Sequence, residues 1–124
     1  MLSVGTVVMG VEELPRAVAF WTKALDYVPK RAIEPGADFA ILVPAKGPGA
    51  HLALDVSETP VQQYPRIHLD LYAGDAADQA AEVERLVSLG ATRVDWDRYP
   101  DDPDFIVLAD TEGNRFCVID TGHG

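Results

Sequence analysis

The side chains most able to do chemistry fall into a few short stretches. In Arg66–Tyr72 (RIHLDLY) polar and apolar residues alternate, so His68, Asp70 and Tyr72 share one face of an extended segment, and Ile67, Leu69 and Leu71 the other. Imidazole titrates near neutrality, and a nearby carboxylate can orient it, so His68 with Asp70 is a candidate general base. The plainer role for such a histidine is to hydrogen-bond a ligand. Alternation also sets His51 and Asp55 on one face of His51–Val56, with Ala53 between them. Cys117 is the only cysteine, which rules out an internal disulfide. Its thiol is a nucleophile only if its pKa is lowered, and a small buried core residue otherwise, the commoner fate. Imidazole and thiolate suit tetrahedral zinc, which makes His51, His68 and Cys117 the set that would hold one; no short ligand spacing marks such a site.

These residues must be positioned by regular elements. Ser3–Val11 is rich in Val and reads as a strand. It feeds a helix with Pro15 in its first turn and apolar residues at Leu14, Ala17, Val18, Phe20, Trp21, Ala24 and Leu25, ending before Pro29. On that spacing Phe20 and Trp21 pack in the core. Three extended runs follow, Val28–Ile33, Asp38–Val43 and His51–Val56, separated by Pro- and Gly-containing turns. After the break Ser57–Pro65 the order recurs: the alternating segment 66–72, then an Ala-rich helix Asp75–Leu89 with Ala80, Val83, Leu86 and Val87 on its apolar face and Gly90 beyond it. The strands Ala91–Asp95, Asp104–Ala109 and Arg115–Asp120 complete it, the last two joined through Gly113. Phe39 and Phe105 stand 66 apart, Leu25 and Leu89 64, Ala53 and Cys117 64. A βαβββ unit is therefore present twice, about 3–58 and about 65–121, within one domain spanning 1–124. Each unit alone would expose one sheet face, so two units around a shared cavity is the economical arrangement.

The chain has 124 residues, with 20 acidic against 10 basic side chains and a net charge of -10. Such a field repels phosphate backbones and excludes nucleic acid as a partner. No apolar run reaches the length of a membrane helix and no signal peptide is visible, which with the single cysteine predicts a cytoplasmic protein. Five aspartates crowd Asp95–Asp104 (DWDRYPDDPD), a stretch that reads more as a solvated loop than as a lid carrying Trp96, Arg98 and Tyr99. With Asp55 and Asp70 assigned to the cavity, the expected ligand is a neutral or cationic small molecule. His123, in the terminal TGHG, reads as disordered.

The two copies resemble the vicinal oxygen chelate superfamily, which includes glyoxalase I, extradiol dioxygenases and bleomycin-resistance proteins. The resemblance rests on the first helix, Glu13-Leu14-Pro15-Arg16-Ala17-Val18-Ala19-Phe20-Trp21 with Ala24-Leu25-Asp26, and on the hairpin Asp110–Cys117 (DTEGNRFC). RIHLDL at 66–71 and GNRFCV at 113–118 are similar to glyoxalase-like domains. It implies an α+β fold of two tandem βαβββ modules around a shared cavity. In metal-using members His or Glu from the first and last strands of each module hold a divalent cation. Those positions here are Thr6, Ala53, His68 and Cys117, of which only His68 is a standard ligand. The implied function is a small organic molecule bound in the cavity without the usual metal, by Thr6, His51, Ala53, Asp55, His68, Tyr72 and Cys117. The alternative is a lyase or isomerase working through His68, either with a non-standard metal site or as a general base oriented by Asp70. No cofactor is implied beyond that divalent metal, and the expected assembly is a homodimer.

Overall fold

The Val-rich start of the chain forms β1 (Thr6–Val11), followed by α1 (Leu14–Leu25), β2 (Tyr27–Pro29), β3 (Phe39–Pro44) and β4 (His51–Val56). The second half repeats the order as β5 (Asp70–Gly74), α2 (Ala76–Ser88), β6 (Thr92–Arg93), β7 (Phe105–Ala109) and β8 (Arg115–Asp120). This computed structural model describes residues 1–124, which divide into two units, Met1–Pro60 and Val61–Gly124. Each holds a four-stranded mixed sheet, in the orders β1-β4-β3-β2 and β5-β8-β7-β6, with the first and last strands paired in parallel. The α+β class and the doubled βαβββ unit are thus as expected. The register repeats too: Ile41 faces Ala53 in one sheet and Val107 faces Cys117 in the other. No helix is long and apolar enough to cross a membrane.

In the first unit α1 buries Leu14, Ala17, Phe20, Trp21 and Ala24, while Val18 and Leu25 flank that stripe half-buried. Phe20 and Trp21 meet edge to face with ring centroids 4.9 Å apart. The helix closes at Asp26, whose φ of 54° is left-handed, a conformation Asp tolerates better than most residues. In the second unit Asp75 caps α2, its carboxylate accepting the Asp78 N–H at 3.0 Å while Asp78 accepts the Asp75 N–H. Ala80, expected on the buried face of α2, is exposed. Gln79, one place earlier, is buried and donates its amide to the carbonyls of Asp104 (3.1 Å) and Val118 (3.0 Å). The stripe Gln79, Val83, Leu86 keeps helical spacing, and the amide is accommodated because both of its donors find acceptors.

Several strands are shorter than alternation predicted. β1 begins at Thr6, not Ser3, because its ladder partner β4 begins at His51, directly opposite Thr6. β5 begins at Asp70, not Arg66, since Asp70 faces Cys117 and β8 starts only two residues earlier, at Arg115. β6 is reduced to two residues because the Trp96 N–H turns back to the Val94 carbonyl at 2.9 Å. β4 and β8 match their predicted spans.

Candidate functional site

The odd residues of β8 and β7 and the even residues of 66–72 turn away from α2 and line a pocket of about 700 Å³ within the second unit. Val107, Phe105 and Ile119 supply an apolar floor, and His68, Asp70, Tyr72 and Cys117 stand along one side. Tyr64, Trp96, Arg98 and Arg115 line the pocket as well, with Pro65, Arg66 and Asp104. A volume of that order suits a drug-sized organic molecule. The 95–104 segment is solvent-exposed as expected, with Trp96 half-buried, and two tyrosines tie it to its own unit. The Tyr99 hydroxyl accepts the Val107 N–H at 2.8 Å, and its ring lies 5.2 Å from that of Phe105. Tyr64 donates to Asp97 at 2.9 Å and packs its ring against Trp96, centroids 5.3 Å apart. The donated bond to Asp97 pushes the Tyr64 phenol above its ordinary value. His123 is likewise ordered, with Nε2 3.0 Å from Asp102.

His68 Nε2 lies 3.0 Å from Asp70 Oδ1. That contact assigns the proton of a neutral imidazole to Nε2 and leaves Nδ1 as the acceptor. Cys117, 8% exposed, has its thiol pushed up to about 11. Burial is the largest cause, followed by the Asp70 charge, the hydrogen bond to Asp70 and the Asp104 charge. The thiol is protonated at neutral pH, which removes it as a nucleophile and supports the buried-cysteine reading.

The acid surplus of the whole chain does not extend to this pocket. Its lining carries three guanidiniums, Arg66, Arg98 and Arg115, against two carboxylates, Asp70 and Asp104. Sequence reasoning missed these arginines because the overall charge outweighs each of them. The available signal was periodicity, since Arg66 shares the parity of His68 and Arg115 that of Cys117.

Of the expected site residues, His68, Asp70, Tyr72 and Cys117 come together here. Thr6, His51, Ala53 and Asp55 share one face of the first unit's sheet, where Thr6 faces His51, Ala53 is fully buried and Asp55 is exposed. The donor group that the structure assembles is His68, Asp70 and Cys117, ligand atoms within 4.8 Å of one another, with Asp70 where the zinc trio had placed His51. The reason is register: Asp70 is the parallel partner of Cys117, while His51 stands on β4. The four positions of the family's metal do not fit one. Ala53 offers a methyl, Thr6 a neutral hydroxyl and Cys117 a soft thiol, so only His68 supplies the His or Glu that the family's cation takes at all four positions.

The sequence profile of the Glyoxalase-like domain matches residues 6–119, nearly the whole chain. The chain belongs to the glyoxalase-like domain family. Its fold is that of the vicinal oxygen chelate superfamily. A glyoxalase-related enzyme from Fulvimarina pelagi is 16% identical, with a TM-score of 0.71 over 98% of this glyoxalase-like chain and 90% of that one. A glyoxalase/bleomycin resistance protein/dioxygenase family enzyme from Burkholderia phytofirmans is 13% identical, TM-score 0.71, covering 96% and 98%. The E126Q mutant of the fosfomycin resistance protein FosX from Listeria monocytogenes, complexed with Mn(II) and 1S,2S-dihydroxypropylphosphonic acid, is 16% identical, TM-score 0.68, covering 96% and 90%. No curated protein matches the glyoxalase-like chain by sequence.

Proposed function

We propose that this glyoxalase-like protein binds a small organic molecule in the pocket of its second unit and does so without the family's metal. The observation that carries this reading is an apolar floor of Val107, Phe105 and Ile119 beside a fixed His68–Asp70 pair, in a cavity of about 700 Å³. An apolar body lying on that floor would bring a polar group to Nδ1 of His68, while Tyr72, 79% exposed, would cover it from the edge. The donor chemistry at Thr6, Ala53 and Cys117 supports the metal-free form.

A second reading, a lyase or isomerase, is favoured by the 3.0 Å contact alone. There Asp70 holds the imidazole with Nε2–H directed at the carboxylate, and Nδ1 takes a proton from the bound molecule, the resulting imidazolium being stabilised by Asp70.

The test begins with protein purified without a histidine tag and treated with chelator. A fragment collection is titrated by NMR and the shifted amides are assigned. Hits mapping to 66–72, 105–107 and 115–119 support the pocket; hits confined elsewhere, or binding only after metal is added, refute it. His68→Asn separates the two readings, changing affinity alone in a binding protein and abolishing turnover with affinity retained in an enzyme.

A further inference from the structure

The chain holds seven arginines, of which Arg31 is exposed and lies outside the pocket described above. Arg16, Arg85 and Arg93 each pair with a glutamate. Arg66, Arg98 and Arg115 do not pair with any carboxylate, yet all three line one pocket. Two of them are fixed by uncharged partners. The Arg98 guanidinium lies over the Tyr64 ring, 3.8 Å from its centroid, and Arg115 donates to the Gln63 carbonyl at 2.7 Å with its guanidinium 5.9 Å from the centre of the Trp96 ring. Stacking on an aromatic face and donation to a carbonyl orient a guanidinium without neutralising it. The Tyr64 ring is itself anchored through Asp97. Cations are thus held in place while their charge and most of their N–H donors stay available, which is the arrangement an anion completes.

The sign and size of the ligand charge follow from the lining. The three guanidiniums outnumber the carboxylates of Asp70 and Asp104 by one. A carboxylate cancels that excess, whereas a phosphate monoester overshoots and meets the two aspartates. A planar anion also matches the guanidinium fork, and the Trp96 ring, tilted 58° from that of Tyr64, lines the pocket beside it. We infer that the pocket selects an organic monoanion, a carboxylic acid with a flat apolar body, its carboxylate held by Arg66, Arg98 and Arg115 and its body on Val107 and Phe105. This ligand charge is opposite to the one the overall composition suggested. The inference rests on the pocket reading above and adds the chemical class of its ligand.

Calorimetric titration of the full chain compares four probes of one shape: 2-naphthoate, 2-naphthamide, 2-naphthylmethylamine and 2-naphthyl phosphate. The inference expects naphthoate to bind at least about tenfold tighter than the amide, the scale of one charge-assisted hydrogen bond. Its affinity should fall as salt is raised from about 0.02 to about 0.2 M, over which screening shortens several-fold, while that of the amide does not. Arg115→Gln should reduce the preference for acid over amide about tenfold or more. Arg66→Gln, whose side chain holds nothing else in the structure, repeats the test should Arg115→Gln fail to fold. Amide or amine binding as tightly as acid overturns the inference and leaves the pocket reading standing, and tighter binding of the phosphate overturns the monoanion. Failure of all four probes at millimolar concentration overturns both readings.

Discussion

Cys117 provides the most quantitative check on the geometry of the candidate site. A thiol that ordinarily titrates at 9.0 is pushed up to about 11 by burial and by the neighbouring Asp70 and Asp104. At pH 8 the thiolate fraction falls from about one in ten to about one in a thousand. Because the folded value lies above the unfolded one, the folded chain keeps its proton where the unfolded chain has lost it. Stability from this group is whole below pH 9 and is lost as pH rises toward 11. At about 1.4 kcal/mol for each tenfold change in proton affinity, the upper scale of that loss is about 2 to 3 kcal/mol. Iodoacetamide labelling followed by intact mass reads the thiol without ambiguity, as the chain has no other cysteine. The rate should keep rising through pH 10 instead of levelling near 9. Asp70→Asn should move its midpoint down without restoring 9.0, because burial, the largest cause, remains. Urea unfolding at pH 8, 9 and 10 should show a steeper loss of stability in the native chain than in Cys117→Ala, a difference that cancels tyrosine and lysine titrations. A labelling plateau near pH 9, or equal slopes for the two proteins, would refute the assigned environment.

Gln79→Ala should cost about 1 to 3 kcal/mol in urea unfolding, because a buried side chain and its two hydrogen bonds are removed, although the Asp104 carbonyl keeps the Asp120 N–H; a change within half a kcal/mol would show that water replaces the amide. A homodimer is the expected assembly, and apolar side chains left exposed, Val8 at 60% and Ile67 at 85%, are compatible with one. Sedimentation as a monomer at micromolar concentration would defeat it.

Periodicity carried most of the fold, and the places where it failed are physical. β4 and β8 are central strands, paired on both sides, so their whole alternating run is used. β2 and β6 lie at sheet edges with a single neighbour each, and both stop while that neighbour, β3 or β7, runs on for three more residues. Ala80 and Gln79 were exchanged because a hydrophobic count cannot foresee that a buried amide will find two carbonyls. In the site, alternation correctly grouped His68, Asp70 and Tyr72. Overall charge did not reveal the three arginines of the pocket because it averages over the surface, whereas a pocket is decided by a few residues. Arg98 and Trp96 reach it only because Tyr99 and Tyr64 anchor their segment, contacts that no local pattern announces.

The parallel pairing of β5 with β8 has a kinetic consequence. Asp70 and Cys117 are ladder partners 47 positions apart, and β8 inserts between β5 and β7. During synthesis on the ribosome the pocket lacks Arg115, Cys117 and Ile119 until β8 emerges, so His68 and Asp70 wait in an unfinished sheet with an open edge. Closing such a long connection is slow relative to hairpin formation, and the pocket becomes the last part of its unit to form. Maturation of the site and completion of the unit are one event. A nascent or truncated chain lacking Arg115–Asp120 would lose the strand that joins β5 to β7 and the Val118 carbonyl that Gln79 of α2 bonds, and with them the pocket.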